Sequence, residues 1–142
     1  MHHIVYISSA TVPVAEAELR RLLTHCQCNN ARNGVTGILL YSESNARFMQ
    51  VIEGEKTVVQ ALFATIEQDF RHCGILKLAD GPIPQRHFTS WFMGFRVLSA
   101  AAFVELAGYI APHSAAFQQA VDSTHDAFMQ KLLKAFASNE VD

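Results

Sequence analysis

The chain has little net charge, no basic stretch, no long apolar run and few cysteines, and each shortage argues against a class of function. Eleven Lys and Arg stand against 13 Asp and Glu, a formal charge of −2. No segment is basic enough to track a phosphate backbone, so nucleic-acid binding is not expected. No apolar run approaches the roughly 20 residues that a membrane helix needs, so no membrane span is expected. No secretory signal opens the sequence, because polar His2 and His3 lead directly into an extended run. Cys26, Cys28 and Cys73 are an odd set without a framework spacing. They fit the reducing cytoplasm better than a secreted disulfide scaffold.

The usual catalytic and metal patterns are missing too. Two residues apart on a helix, Cys26 and Cys28 would point about 200° away from each other, which is no metal pair. His2 and His3 alternate across a strand, and the seven histidines show no ligand spacing, so no metal is expected. Ser8 and Ser9 have no His and acid nearby in a nucleophile's order. There is no glycine-rich phosphate loop. What the chain does have is bulk: half of its 142 residues are hydrophobic, enough for the core of one domain.

Period-two and period-3.6 patterns give the elements. Residues 3–8 read as a strand. Pro13 opens a helix that runs to about Ala31, with Leu19, Leu22, Leu23 and Cys26 as its apolar stripe, and Gly34 closes the turn after it. Residues 35–42 and 48–53 read as a hairpin joined by the polar loop 43–47. A second helix carries Val58, Val59, Leu62, Phe63 and Ile66 and is broken by Gly74. Residues 75–79 form a short strand, 81–84 a rigid loop, and 87–98 a long final strand. The order is βαββαββ, an α+β, ferredoxin-like arrangement with two helices on one face of the sheet. The other face also needs a cover. A short helix near 101–107, and a longer one capped by Ser114 and carrying Phe117, Val121, Phe128, Leu132 and Phe136, can supply it. Residues 1–98 are thus expected to be the core domain and 99–142 a helical extension packed on the sheet.

Four polar residues fall on faces that should be dry. Gln50 shares a strand face with Phe48 and Ile52, and Tyr6 shares one with Ile4 and Ser8. Asn30 lies on the stripe of the first helix, four residues after Cys26. Asp69 lies on the stripe of the second, three residues after Ile66. A buried amide or phenol without a partner costs roughly 1–3 kcal/mol. Tyr6 and Gln50 are therefore expected to pair, and all four residues to converge on the edge of a flat polar heterocycle held between the helices. Trp91 and Met93, two residues apart and so on one face, would add polarizable contacts near a ring system.

These residues sit in segments that together resemble the BLUF family of flavin-based blue-light sensors. The segments are Tyr6-Ile7-Ser8, Asn29-Asn30-Ala31-Arg32, Val35-Thr36-Gly37, Phe48-Met49-Gln50 with Glu53-Gly54, Asp69-Phe70-Arg71-His72 and Trp91-Phe92-Met93. Each is weak alone; in this order over about 98 residues they are specific. The resemblance implies a photoreceptor rather than an enzyme, with FAD bound non-covalently, or FMN in its place. It implies that Tyr6 gives an electron and a proton to the excited flavin. Gln50 then rearranges its hydrogen bonds to give a reversible red-shifted signalling state. Asn30 would hold the pyrimidine edge of the ring, and Asp69, Arg71 and His72 would approach it from the second helix. Trp91 and Met93 would take part in signalling, with their dark-state placement left open. With no output domain expected, the signal would pass to a separate protein partner or through a homo-oligomer. The competing expectations are a small ferredoxin-like enzyme and a light-inert flavin- or ligand-binding module.

Overall fold

The computed structural model describes residues 1–12, 16–42, 46–88 and 93–98. Seven elements follow one another: β1 (His2–Ala10), α1 (Glu16–Asn33), β2 (Thr36–Ser42), β3 (Arg47–Gly54), α2 (Lys56–Glu67), β4 (His72–Pro82) and β5 (Gly94–Leu98). They build one five-stranded sheet in the order β4-β1-β3-β2-β5. The first four strands are antiparallel to their neighbours, and β5 joins β2 in parallel. This is the expected α+β, ferredoxin-like order with one strand added at an edge. Pro13, Trp91, Phe92, the loop residues 43–45 and the expected helices of 99–142 lie outside the described residues.

Strand alternation sorts the core into two. Ile4, Tyr6, Phe48 and Ile52 pack with Leu23 of α1 and Val59 and Phe63 of α2. Val5, Met49, Val51, Ile38 and Leu40 face the other way and pack with Phe88. A shift of one residue in any of these strands would exchange the two sets, so the burial of both faces fixes the register.

Three boundaries differ from the sequence reading. First, α2 ends at Glu67 rather than at Gly74, and Asp69 lies beyond the helix. The Asp69 carboxylate accepts the Arg71 backbone N–H at 2.9 Å, a local turn that competes with further helix. Gly74 instead belongs to β4, with φ of 62°, next to one of the two places where the β1–β4 register slips. Glycine supplies that backbone conformation in strand bulges. Second, Gly81 and Pro82 close β4 rather than forming a free loop. Third, 87–98 is not one long strand: His87 and Phe88 are non-strand, and the strand begins at Gly94. The backbone N–H groups of His87 and Phe88 are taken by a side-chain carboxylate instead of a neighbouring strand.

The end of α1 was legible. Gly34 has φ of 69°, and Val35 N–H donates to the Asn30 carbonyl at 2.9 Å. This is a left-handed glycine cap, and it fixes the helical turn that carries Asn30.

Two glycines separate steric from conformational demands. A Cβ on Gly37 would lie 1.9 Å from the Val51 carbonyl oxygen of the adjacent strand, whereas one on Gly74 would meet nothing within 4 Å. Gly37→Ala is expected to cost about 3 kcal/mol or more, because backbone must move. Gly74→Ala should cost about 1–2 kcal/mol, from its positive φ alone. Urea denaturation of the two variants checks the order; equal losses would place Gly37 in open space.

Candidate functional site

Between the two helices and the sheet lies a cleft of about 240 Å³. Its floor is the sheet: Tyr6 from β1, Leu39 from β2, and Phe48 and Gln50 from β3. Its walls are Leu22, Cys26 and Asn30 of α1 and Leu62 and Ile66 of α2, and Asp69, Arg71 and His72 close one end. The volume is near the small end of ligand pockets, about 300–1,000 Å³, and suits a ring system better than a whole dinucleotide.

Register explains the floor. Tyr6 stands directly opposite Gln50 in the β1–β3 ladder, and Gln50 opposite Leu39 in the β2–β3 ladder. Directly opposed side chains start only about 5 Å apart, so the phenol and the amide meet. Tyr6 Oη donates to Gln50 Oε1. The Gln50 amide donates in turn to Met93 Sδ at 3.4 Å. An amide nitrogen carries two N–H groups, so a second one remains for a ligand in the cleft. Tyr6, Gln50 and Met93 are all buried.

Burial pushes the Tyr6 phenol far above its ordinary value, and the nearby Cys26 and Asp69 push it the same way. Tyr6 is therefore a neutral hydrogen-bond donor. Burial likewise raises the Cys26 thiol, partly opposed by the Arg71 charge. Asp69 is shifted the other way: the Arg71 guanidinium hydrogen-bonded to it holds its carboxyl below the usual range. Both side chains are partly exposed, so the pair contributes little to stability and instead aims Arg71 at the cleft mouth.

His72 is committed to the protein through both ring nitrogens. Its Nε2 lies 2.7 Å from the Ile66 carbonyl, which can only accept, so Nε2 carries a proton. In the neutral ring Nδ1 then accepts from Ser8 Oγ at 2.8 Å. The ring thus ties β1 to the end of α2 and stands edge-on to Tyr6, with ring centroids 6.1 Å apart.

Seven of the eight site residues singled out in the sequence fall on or beside this cleft: Tyr6, Asn30, Gln50, Asp69, Arg71 and His72 line it, and Met93 touches Gln50. Trp91 lies outside the described residues. Sequence reasoning missed the Ser8–His72 bond and Gln27, whose amide donates to the Met93 carbonyl at 3.2 Å. A buried serine in phase with Ile4 and Tyr6 was the signal for the first. Gln27, a polar helix residue beside the apolar stripe, gave none.

The family model described as sensors of blue-light using FAD matches residues 1–94. The chain belongs to the BLUF family. The alpha subunit of the photoactivated adenylate cyclase of Euglena gracilis is 37% identical over 95 residues, 66% of this chain and 9% of that protein. The beta subunit of Euglena longa is 34% identical over 85 residues, 60% of this chain and 10% of that protein. This chain thus spans about a tenth of the length of these relatives. Among solved structures, the dark state of the BLUF protein BlrB superposes with a TM-score of 0.69 at 25% identity, covering 97% of this chain and 96% of that one. BlrP1 of Klebsiella pneumoniae, solved with FMN and cyclic diGMP, gives 0.72 at 26% identity over 96% of this chain and 34% of that one. The BLUF fold is therefore shared, and flavin binding is the family's property. No helix among the described residues is long and apolar enough to cross a membrane.

The Tyr6 shift sets a pH signature. An unfolded phenol ionises near pH 10, whereas the folded Tyr6 keeps its proton well above that. The folded state then binds the extra proton, so Tyr6 contributes stability that is present below about pH 10 and is lost progressively as pH rises beyond it. Tyr6→Phe is expected to flatten this alkaline loss, measured by urea denaturation between pH 8 and about pH 11. An unchanged alkaline limb would mean that the phenol is solvated.

Proposed function

We propose that this chain is a blue-light photoreceptor whose cleft holds the isoalloxazine ring of FAD non-covalently, with FMN as the lesser possibility. The observation that carries the reading is the buried Tyr6–Gln50–Met93 chain of hydrogen bonds on the cleft floor. The cleft fits such a ring. Its walls are apolar, and its polar groups are few and convergent: the buried Asn30, the second N–H of Gln50, and Arg71 at the mouth. FAD is favoured by the family's description, while FMN is the flavin in the BlrP1 structure. The residues that would hold the ring are Asn30, Gln50 and Arg71, with Asp69 orienting Arg71 and His72 orienting the Tyr6 strand.

When bound, the flavin supplies the light absorption and, once excited, an acceptor able to oxidise a phenol. The chain's own part lies at two atoms. A phenol that gives up an electron must also lose its proton, and the Tyr6 proton already points at Gln50 Oε1. Neutral Tyr6 is therefore set to release both together. The Gln50 amide is the switch, because its two ends differ. Turned around, its NH₂ would face the Tyr6 oxygen, which can accept. Its oxygen would face Met93 Sδ, which has no hydrogen to give. Tyr6 thus tolerates both states of the amide and Met93 only one, so Met93 reads the switch. Hydrogen bonding to the ring changes with no net chemistry, which gives a small and reversible red shift.

On this reading residues 1–98 are the sensor and 99–142 a helical extension. The chain is a cytoplasmic sensor rather than an enzyme; the cyclase activity in its relatives' names belongs to proteins of which the matched segment is only about a tenth. A separate protein partner and self-association would carry the output.

An absorption spectrum before and after blue light tests the proposal. Purified protein should be yellow, shift slightly to the red, and recover in darkness. Tyr6→Phe should keep the flavin and abolish the shift. Asn30→Ala should weaken flavin binding about two- to tenfold, the ~0.5–1.5 kcal/mol of a neutral hydrogen bond. A protein that takes up no flavin would refute the reading, and a normal photocycle in Tyr6→Phe would remove Tyr6 from it.

A further inference from the structure

On the face of β3 opposite Gln50, a carboxylate is buried completely. Glu53 is 0% exposed and in phase with Met49 and Val51, whose neighbours form the second apolar cluster. A buried carboxylate persists only where donors surround it. Here Oε1 accepts the Thr36 hydroxyl at 2.9 Å and the Phe88 backbone N–H at 2.7 Å. Oε2 accepts the His87 backbone N–H at 2.9 Å. Arg86 completes the cluster, donating to Thr36 Oγ1 at 2.9 Å, to the Glu53 carbonyl at 3.3 Å and to the Gly34 carbonyl at 2.7 Å. Its positive charge lies one hydroxyl away from the carboxylate. Bonds to an ionised acceptor are the stronger kind, so Arg86, His87 and Phe88 are pinned to the ends of β2 and β3.

The same strand holds the other end of this segment. Phe88 packs in the cluster beneath the sheet, and Met93 packs in the cluster above it, against Gln50. Gly94 then enters β5, paired with Ile38. Two β3 residues three positions apart, on opposite faces, therefore grip the two ends of one short segment. The grips differ in strength. The Glu53 end has three short bonds to a buried carboxylate, whereas the Met93 side chain has a single N–H on its thioether, a weak acceptor, and its backbone carbonyl is held from α1 by the Gln27 amide at 3.2 Å.

We propose that Glu53 is a positioning residue for the light response. It fixes the start of the segment, so that loss of the Gln50–Met93 contact displaces β5 instead of being absorbed by slack at His87 and Phe88. This rests on the photochemical reading above and adds to it the residue that holds the start of the segment leading to Gly94–Leu98.

The test is hydrogen exchange of residues 94–98 in darkness and under blue light, on the full chain with its flavin bound. Wild type should show a light-dependent change there. Glu53→Gln keeps the size of the side chain but replaces one accepting oxygen with an NH₂, and so leaves a backbone N–H without its acceptor and Arg86 without a nearby negative charge. It should keep the flavin and the red shift, while the light-minus-dark difference in 94–98 falls to less than about half. Thr36→Ser retains the hydroxyl and should respond as wild type. A purely structural Glu53 would speed exchange equally in both states and leave the difference intact, which overturns the proposal. Should Glu53→Gln not fold, Glu53→Asp is decisive, since it keeps the charge but withdraws it by one methylene from the backbone N–H groups of both His87 and Phe88. An undiminished response in that variant refutes the anchor. A wild type that shifts to the red with no change in 94–98 also refutes it, leaving the photochemistry standing. A flavin-loaded wild type with no red shift sinks both.

Discussion

The constraint on which this structure depends is that a phenol and a primary amide are buried face to face and must satisfy one another. Tyr6 and Gln50 are opposed in the central pair of strands, with apolar residues above and below them in the same file. In that position neither group can reach water, and an unmade bond would cost each about 1–3 kcal/mol. The phenol can pair with either end of the amide, so it is the sulfur of Met93, which can only accept, that orients Gln50. One buried pairing thereby depends on a third side chain at the edge of β5.

The rest of the sheet serves to hold that pairing still. β1 is gripped from both sides, by β3 and by the bulged β4, and His72 ties Ser8 to the Ile66 carbonyl at the end of α2. That carbonyl also accepts the Asp69 backbone N–H at 3.1 Å, so the His72 bond adds to the cap of α2 and steadies the Tyr6 strand. On the opposite face Glu53 does comparable service for the segment before β5. Tyr6, Gln50, His72 and Glu53 are polar groups that each fix a position. A buried polar network that is fully paired favours one arrangement over its neighbours, because any slip leaves charges or N–H groups unmet.

Much of the site was legible because strands alternate with a strict period of two. A polar residue in the apolar phase, such as Gln50 or Tyr6, announces itself without any structure. The helix-borne Asn30 could be read for a similar reason, since the stripe through Leu23 and Cys26 continues to it and Gly34 marks the end of the helix. Asp69 was placed near the right site for a partly wrong reason: it reaches the cleft from a turn beyond α2 rather than from the helix itself. Glu53 obeyed the same alternation as Gln50, in phase with Met49 and Val51, and its burial could have been inferred from that.

The sequence by itself determined the element order, the two faces of each strand and the identity of the polar residues that had to be paired, because these follow from local periodicity and from the cost of burying unpaired polar groups. Tertiary structure alone decided which groups meet across gaps of 34 to 64 residues: Met93 with Gln50, His72 with Ser8, His87 and Phe88 with Glu53. It also decided that 87–88 would give its backbone donors to a carboxylate and leave β5 to begin at Gly94. Those outcomes depend on how a side chain from one strand competes with a neighbouring strand for the same N–H groups, and that competition is settled by distance in the folded chain, which no local pattern encodes.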